Sequence, residues 1–207
     1  MNHVIIFLLS GVTFCACDDA TMSSRLNRLW VNEERLGEFQ DAWKAITANF
    51  ERTYYLLNAT YETNDVWGEK FRCVRMKARV MNKLEKVVNV DSFYNNKQRM
   101  RMSRPWRDQQ LGPIRMFNYA NVSNGIKYET VDECIELAVV FTDGDTCHVI
   151  YVPNVSNKRS NETIDGYQLW VHENHIQKRT VPCTFTFNVF AQWRNIYQIY
   201  NADQCWY

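Results

Sequence analysis

Between Glu33 and Asn49, the apolar residues Leu36, Phe39, Trp43 and Ile46 recur at three- and four-residue steps with charged residues between them. This spacing predicts one amphipathic helix that buries a single stripe. From Tyr54 onward the period changes to two. Alternating runs cover 54–61, 71–80, 87–93, 99–104, 114–119, 126–131, 135–141, 148–152 and 167–172, with turn-forming clusters such as Asn95-Asn96, Asn124-Gly125 and Asp143-Gly144-Asp145 between them. The pattern is that of an antiparallel meander of eight or nine strands. Closing such a meander into a barrel removes its edges, and a barrel of this size leaves room for one small ligand. Over 184–201 the pattern is ambiguous: Phe185, Phe187 and Val189 alternate, while Val189, Trp193, Ile196 and Tyr200 fit a helix. A helix folded against the outside of the barrel is the preferred reading.

The first residues read differently. Val4 to Phe14 is an apolar run of secretory-leader length, too short to span a bilayer, followed by small residues at Cys15-Ala16-Cys17. Cleavage before Asp18 would give a leader over 1–17 and one domain over 18–207, although His3 is the only basic residue ahead of the apolar run. No later segment has the roughly 18 unbroken apolar residues of a membrane helix. With 24 basic and 23 acidic residues, the chain has no net field to attract nucleic acid or anionic lipid.

Export changes how the cysteines are read. Beyond Asp18 they are Cys73, Cys134, Cys147, Cys183 and Cys205, an odd number in a compartment where thiols oxidise. Four Asn-x-Ser/Thr sequons, at Asn58, Asn121, Asn154 and Asn161, agree with secretion and place those asparagines at the surface if they are used. A glycan on Asn58 would turn that side chain outward and, by strand alternation, turn Tyr55, Leu57, Ala59 and Tyr61 inward.

Several segments, in order and at close to family spacing, make the chain resemble the tick salivary lipocalins of the histamine-binding type. They are Asp41-Ala42-Trp43-Lys44, Ala59-Thr60-Tyr61-Glu62, Asn64-Asp65-Val66-Trp67-Gly68 and Phe71-Arg72-Cys73-Val74, then Cys147-His148-Val149-Ile150-Tyr151, Tyr167-Gln168-Leu169-Trp170, Val181-Pro182-Cys183 and Cys205. The resemblance implies an all-β, eight-stranded antiparallel calycin barrel with an N-terminal helix at one side and a C-terminal helix packed outside. It also implies disulfides Cys73–Cys205 and Cys147–Cys183. Cys134 has no counterpart in that scheme. A small buried side chain is its preferred reading, with a mate near the N-terminus as the alternative if cleavage falls before Cys17.

By the same resemblance Tyr61, Tyr128, Gln168 and Trp170 face the cavity, and Trp67 sits near its mouth. Amine-binding members enclose a protonated ligand with carboxylates and aromatic faces, since a buried cation needs an anion or a ring quadrupole. Their pattern has Asp after the first cysteine of this hairpin and Glu before Leu-Trp, where this chain has His148 and Gln168. Two acids remain as candidates: Glu136 inside the barrel, unless its strand presents Ile135, Leu137 and Val139 instead, and Asp65 beside Trp67. In 97–104, Arg99 and Arg101 share one face and Met100 and Met102 the other. With the arginines inside, the cavity would suit a carboxylate-headed lipid; with them outside, they form a solvated face.

Other chemistry finds little support. His172-Glu173-Asn174-His175 lacks a third metal ligand, and there is no nucleophile motif, phosphate-binding glycine loop or CxxC pair. No catalytic residue, metal or cofactor is assigned. The sequence therefore points to a secreted, monomeric binding protein that sequesters a small host mediator, with a leukotriene- or thromboxane-like lipid somewhat ahead of an amine. The alternative is a protein that uses its outer loops to bind a host defence protein such as a complement component.

Overall fold

In the computed structural model, residues 28–48, 50–97, 106–157, 162–178 and 180–205 are described. The expected N-terminal helix is broken in two: α1 covers Glu33–Leu36, a 3-10 turn covers Gly37–Phe39, and α2 covers Ala42–Ala48. The break lies at Gln40, which is fully buried. Its Nε2 donates to the Trp30 carbonyl at 2.7 Å and the Val140 carbonyl at 3.2 Å, and its Oε1 accepts from the Tyr119 hydroxyl at 2.6 Å. A side chain satisfied by three distant groups fixes the backbone more strongly than helix propensity does. Asp41 then restarts the helix by accepting the Lys44 N–H at 3.0 Å. Of the predicted stripe, Ile46 is buried in the barrel, whereas Phe39 is exposed and stacks on Phe141.

The strands are β1 (Thr53–Ala59), the short pair β2 (Thr63–Asn64) and β3 (Gly68–Glu69), β4 (Arg72–Asn82), β5 (Val87–Asn95), β6 (Trp106–Ile114), β7 (Gly125–Glu129), β8 (Cys134–Thr142), β9 (Cys147–Asn157), β10 (Glu162–His172) and β11 (Tyr197–Gln198). Eight long antiparallel strands run in the order β10-β9-β8-β7-β6-β5-β4-β1, and β1 pairs with β10 to close the barrel. The run expected over 114–119 is not a strand. β6 ends at Ile114, and the chain then turns through Phe117 and Asn118, both at positive φ. Alternation did not reveal β6 because Arg107 to Gln110 is an unbroken polar run and Pro113 follows close behind. The expected strand over 99–104, with Arg99 and Arg101, lies outside the described residues.

β1 also departs from strict alternation. A bulge between Leu56 and Asn58 shifts the register against β10, so Leu56 pairs with Trp170 and Ala59 with Gln168. One extra residue reverses the parity of everything before it. Tyr54, Leu56, Ala59 and Tyr61 therefore belong to the inner core, while Tyr55 packs outside against Tyr200 and Leu57 joins the outer cluster. The expected inward placement of Tyr55 and Leu57 is thus corrected, and that of Ala59 and Tyr61 holds.

The seam between β1 and β4 is filled by the C-terminal tail. β4 pairs with residues 53–55 of β1, whereas Asn58 and Ala59 pair with β11. The Ile199 N–H donates to the Leu57 carbonyl, and the Ile199 carbonyl accepts from the Cys73 N–H at 2.8 Å. The disulfide Cys73–Cys205 staples the tail in place.

Outside the barrel, α3 (Val181–Ala191) lays Cys183, Phe187 and Ala191 over Val149, Tyr151, Tyr167, Leu169 and Val171, and Cys147–Cys183 ties it to β9. β9 and β10 therefore bury both faces over 147–152 and 167–171. Cys134 is disulfide-bonded, not the unpaired side chain preferred from the sequence. The odd count began at Asp18; Cys15 and Cys17 lie upstream, outside the described residues.

Candidate functional site

Inward-facing side chains from β4 and β6–β10, with α2 across one end, surround a single cavity. Its apolar wall consists of Ala45, Ile46, Val66, Met76, Leu111, Ile126, Ile135, Leu137, Ile150 and Val152. Tyr61, Asn64, Trp67, Tyr128, His148, Gln168 and Trp170 complete it. The space between these side chains is about 700 Å³, including the part open to solvent.

All five aromatic and amide positions expected from the sequence, Tyr61, Trp67, Tyr128, Gln168 and Trp170, come together in this wall. The acids do not. Glu136 faces Lys127 across the β7–β8 pair, while its neighbours Ile135 and Leu137 take the inward positions. Asp65 is exposed, beside the lining residues Asn64 and Val66 but not among the lining residues itself. Arg101 lies outside the described residues, as does Asn161. Of the other sequon asparagines, Asn121 and Asn154 are exposed and Asn58 is half-buried on the outer face of β1.

The Gln168 amide is bonded within the wall. Its Oε1 accepts from the Trp170 indole N–H at 2.8 Å, and its Nε2 donates to the Tyr61 hydroxyl. Burial pushes the pKa of that hydroxyl well above the usual tyrosine range, opposed by its bonds to Gln168 and Asn64. The Tyr61 ring fits only because residue 166 is glycine: a Cβ there would lie 2.6 Å from the ring and 2.9 Å from Val155. Gly166→Ala is therefore expected to push Tyr61 off Gln168 and cost about 2 kcal/mol by overpacking. Urea denaturation checks this, and an unchanged midpoint would mean that the ring moves aside freely.

The structure adds a polar group at His148. The ring is buried, paired across strands with Trp170 and stacked on Tyr54 with centroids 4.6 Å apart. Its Nδ1 lies 2.8 Å from the Thr142 hydroxyl, and its Nε2 has no partner within the protein. Burial pushes its pKa down to about 4 against the pull of Asp143, so the ring is neutral at physiological pH. Tyr128 lies beside Ser92 and Trp67; burial pushes the pKa of its hydroxyl up, against the downward pull of those two polar side chains. Tyr128 Oη, Ser92 Oγ and Trp67 Nε1 are all buried, and none completes a hydrogen bond of good geometry within the protein. Ser92 was not singled out from the sequence, although the inward series Val88, Val90, Ser92, Tyr94 is a signal that could have found it. Among the described residues, no Asp, Glu, Lys or Arg lines the cavity, and no cluster of three or more His, Cys, Asp or Glu side chains is placed to hold a metal ion.

A closed antiparallel barrel with a helix across one end and an apolar cavity inside it is the architecture of a lipocalin-type binding protein. Solved structures agree on the fold. The serotonin complex of AM182 overlays with a TM-score of 0.54 at 16% identity, covering 79% of this chain and 91% of that one. Apocrustacyanin C2 overlays at 0.50 and 14% identity, covering 78% and 85%. Residues 30–207 match the tick histamine-binding protein family, and the chain belongs to that family. Its relatives in Rhipicephalus appendiculatus include a male-specific histamine-binding salivary protein, 34% identical over 97% of this chain and 96% of the relative, and female-specific histamine-binding protein 1, 30% identical over 84% and 87%.

Proposed function

We propose that the chain is exported behind a removed leader and sequesters a small host mediator non-covalently in its barrel, with a lipid favoured over a biogenic amine. Membership of a family whose relatives are named histamine-binding proteins, one of them a salivary protein, supports sequestration and secretion, and the disulfides suit an oxidising compartment. The observation that carries the choice of ligand is the lack of a charged side chain in the cavity wall among the described residues. A desolvated ammonium without a carboxylate forfeits several kcal/mol. Neutral His148 and the internally bonded Gln168 stand where the amine-binding pattern has its acids.

Titration calorimetry at pH 7.4 with histamine, serotonin and the uncharged methyl ester of a leukotriene tests this reading. The expected order is the leukotriene ester tightest and both amines weaker than about 10 μM; nanomolar histamine binding would overturn the preference for a lipid.

One observation favours the second reading, a protein partner. Val181 and Phe185 on α3 and Trp193 just beyond it are exposed at four- and eight-residue intervals, Trp193 at 97%. An apolar stripe of this kind suits a macromolecular contact. Pull-down of a plasma protein by a barrel that retains no small molecule in native mass spectrometry would favour this reading over sequestration.

A further inference from the structure

The polar atoms of the cavity wall divide into those already bonded and those left free, and the free ones define a ligand chemistry. Gln168, Trp170 and Tyr61 are bonded to one another. The atoms left over are Nε2 of His148 on β9, and Nε1 of Trp67 with the Tyr128 hydroxyl, beside which lies the Ser92 hydroxyl, although Ser92 is not itself a lining residue. Each belongs to a side chain at least nine-tenths buried, and a buried polar group with no partner costs on the order of 1–3 kcal/mol.

Their donor character follows from proton bookkeeping. The Thr142 hydroxyl accepts from the Gly144 N–H at 2.9 Å and lies 2.8 Å from His148 Nδ1. With one lone pair taken, the hydroxyl proton is best used toward Nδ1, which leaves the ring proton on Nε2. Nε2–H and the Trp67 indole N–H are then both donors, and the Tyr128 and Ser92 hydroxyls can donate or accept. Leu111, Ile126, Leu137, Ile150 and Val152 are among the apolar side chains that line the same cavity.

We propose that this cavity is specific for an uncharged amphiphile with an oxygen function at each end of an apolar body, one bound by His148 and the other by Trp67 with Tyr128 and Ser92. The proposal rests on the sequestration reading and narrows it. An ammonium would meet two N–H donors and no carboxylate. A carboxylate would meet donors but no countercharge in the wall, and burying it unpaired is expensive. A ketone, ester or alcohol pays neither penalty and satisfies both places.

Three probes of one length separate these cases: methyl 12-hydroxydodecanoate, neutral with oxygen at both ends; 12-hydroxydodecanoate, charged; and methyl dodecanoate, neutral with oxygen at one end. Quenching of Trp67 and Trp170 fluorescence at pH 7.4 reports binding. The hydroxy ester is expected to bind at least tenfold tighter than the hydroxy acid and about fivefold tighter than methyl dodecanoate. His148→Phe and Trp67→Phe, the latter read through Trp170, should each abolish the second difference, whereas a variant that merely loosened the fold would weaken both esters equally. Equal or tighter binding of the acid, or retention of the ester difference in both variants, overturns the proposal and leaves sequestration standing. If none of the three probes binds and the purified protein carries no small molecule, sequestration itself is overturned.

Discussion

Replacing Cys73 and Cys205 together by alanine is expected to lower the unfolding free energy by about 5 kcal/mol, from the loop entropy that a cross-link of this span removes from the unfolded chain. The two cysteines are 132 residues apart in sequence. At about 2–4 °C per kcal/mol for a domain of this size, the midpoint should fall by on the order of 10–20 °C. The location adds a local effect. Without the staple, β11 is held by two strand pairs with β1 and the backbone bonds of Ile199 and Tyr200, so the seam beside β1 should open before the barrel does. Thermal melting with amide hydrogen exchange checks both parts. Exchange at Ile199 and Tyr200 as slow as in the parent would show that β11 holds without the staple, and a midpoint within a few degrees would show that the cross-link constrains little.

Acidification supplies the second large effect. His148 has a pKa of about 4 in the fold against an ordinary value of 6.5, so the unfolded chain binds a proton more readily than the native one. Stability from this group is fully present above pH 6.5, declines as pH falls below it, and is lost by pH 4. The loss is on the order of 3 kcal/mol. His172, whose pKa is lowered chiefly by burial and then by Arg52, works in the same direction. Asp143 and Glu33 are held below the usual carboxylate range, so their contributions fade at lower pH. Urea unfolding between pH 7 and pH 4 should therefore show a steep decline in the parent and a shallower one in His148→Gln. Parallel slopes would mean that His148 takes up its proton in the native state. Above pH 5 the described residues of the cavity wall stay neutral, so ligand release should not respond to mild acid.

Particular residues show how far the sequence was legible. Period-two alternation located seven of the eight long barrel strands because a strand with one face inward leaves that imprint. It did not find β6, where the polar run from Arg107 to Gln110 obscures the alternation that buries Gln109 and Leu111, and it misplaced Tyr55 and Leu57 because a bulge leaves no mark on hydrophobicity. The helical stripe over 33–49 was real but discontinuous, since the partners of Gln40, namely Trp30, Tyr119 and Val140, are distant in sequence.

The site shows the same division. Residue identity and order determined the family, both disulfide pairings carried over from it, and the loss of two acids at 148 and 168, because these depend on which side chains occur and where. Only the tertiary structure decided that Glu136 points away, that Gln168 is bonded within the wall, and that His148, Trp67, Tyr128 and Ser92 keep unpaired atoms. A side chain's partners come from strands separated by dozens of residues, and whether a polar atom is satisfied or free for a ligand is a property of those neighbours rather than of the residue itself.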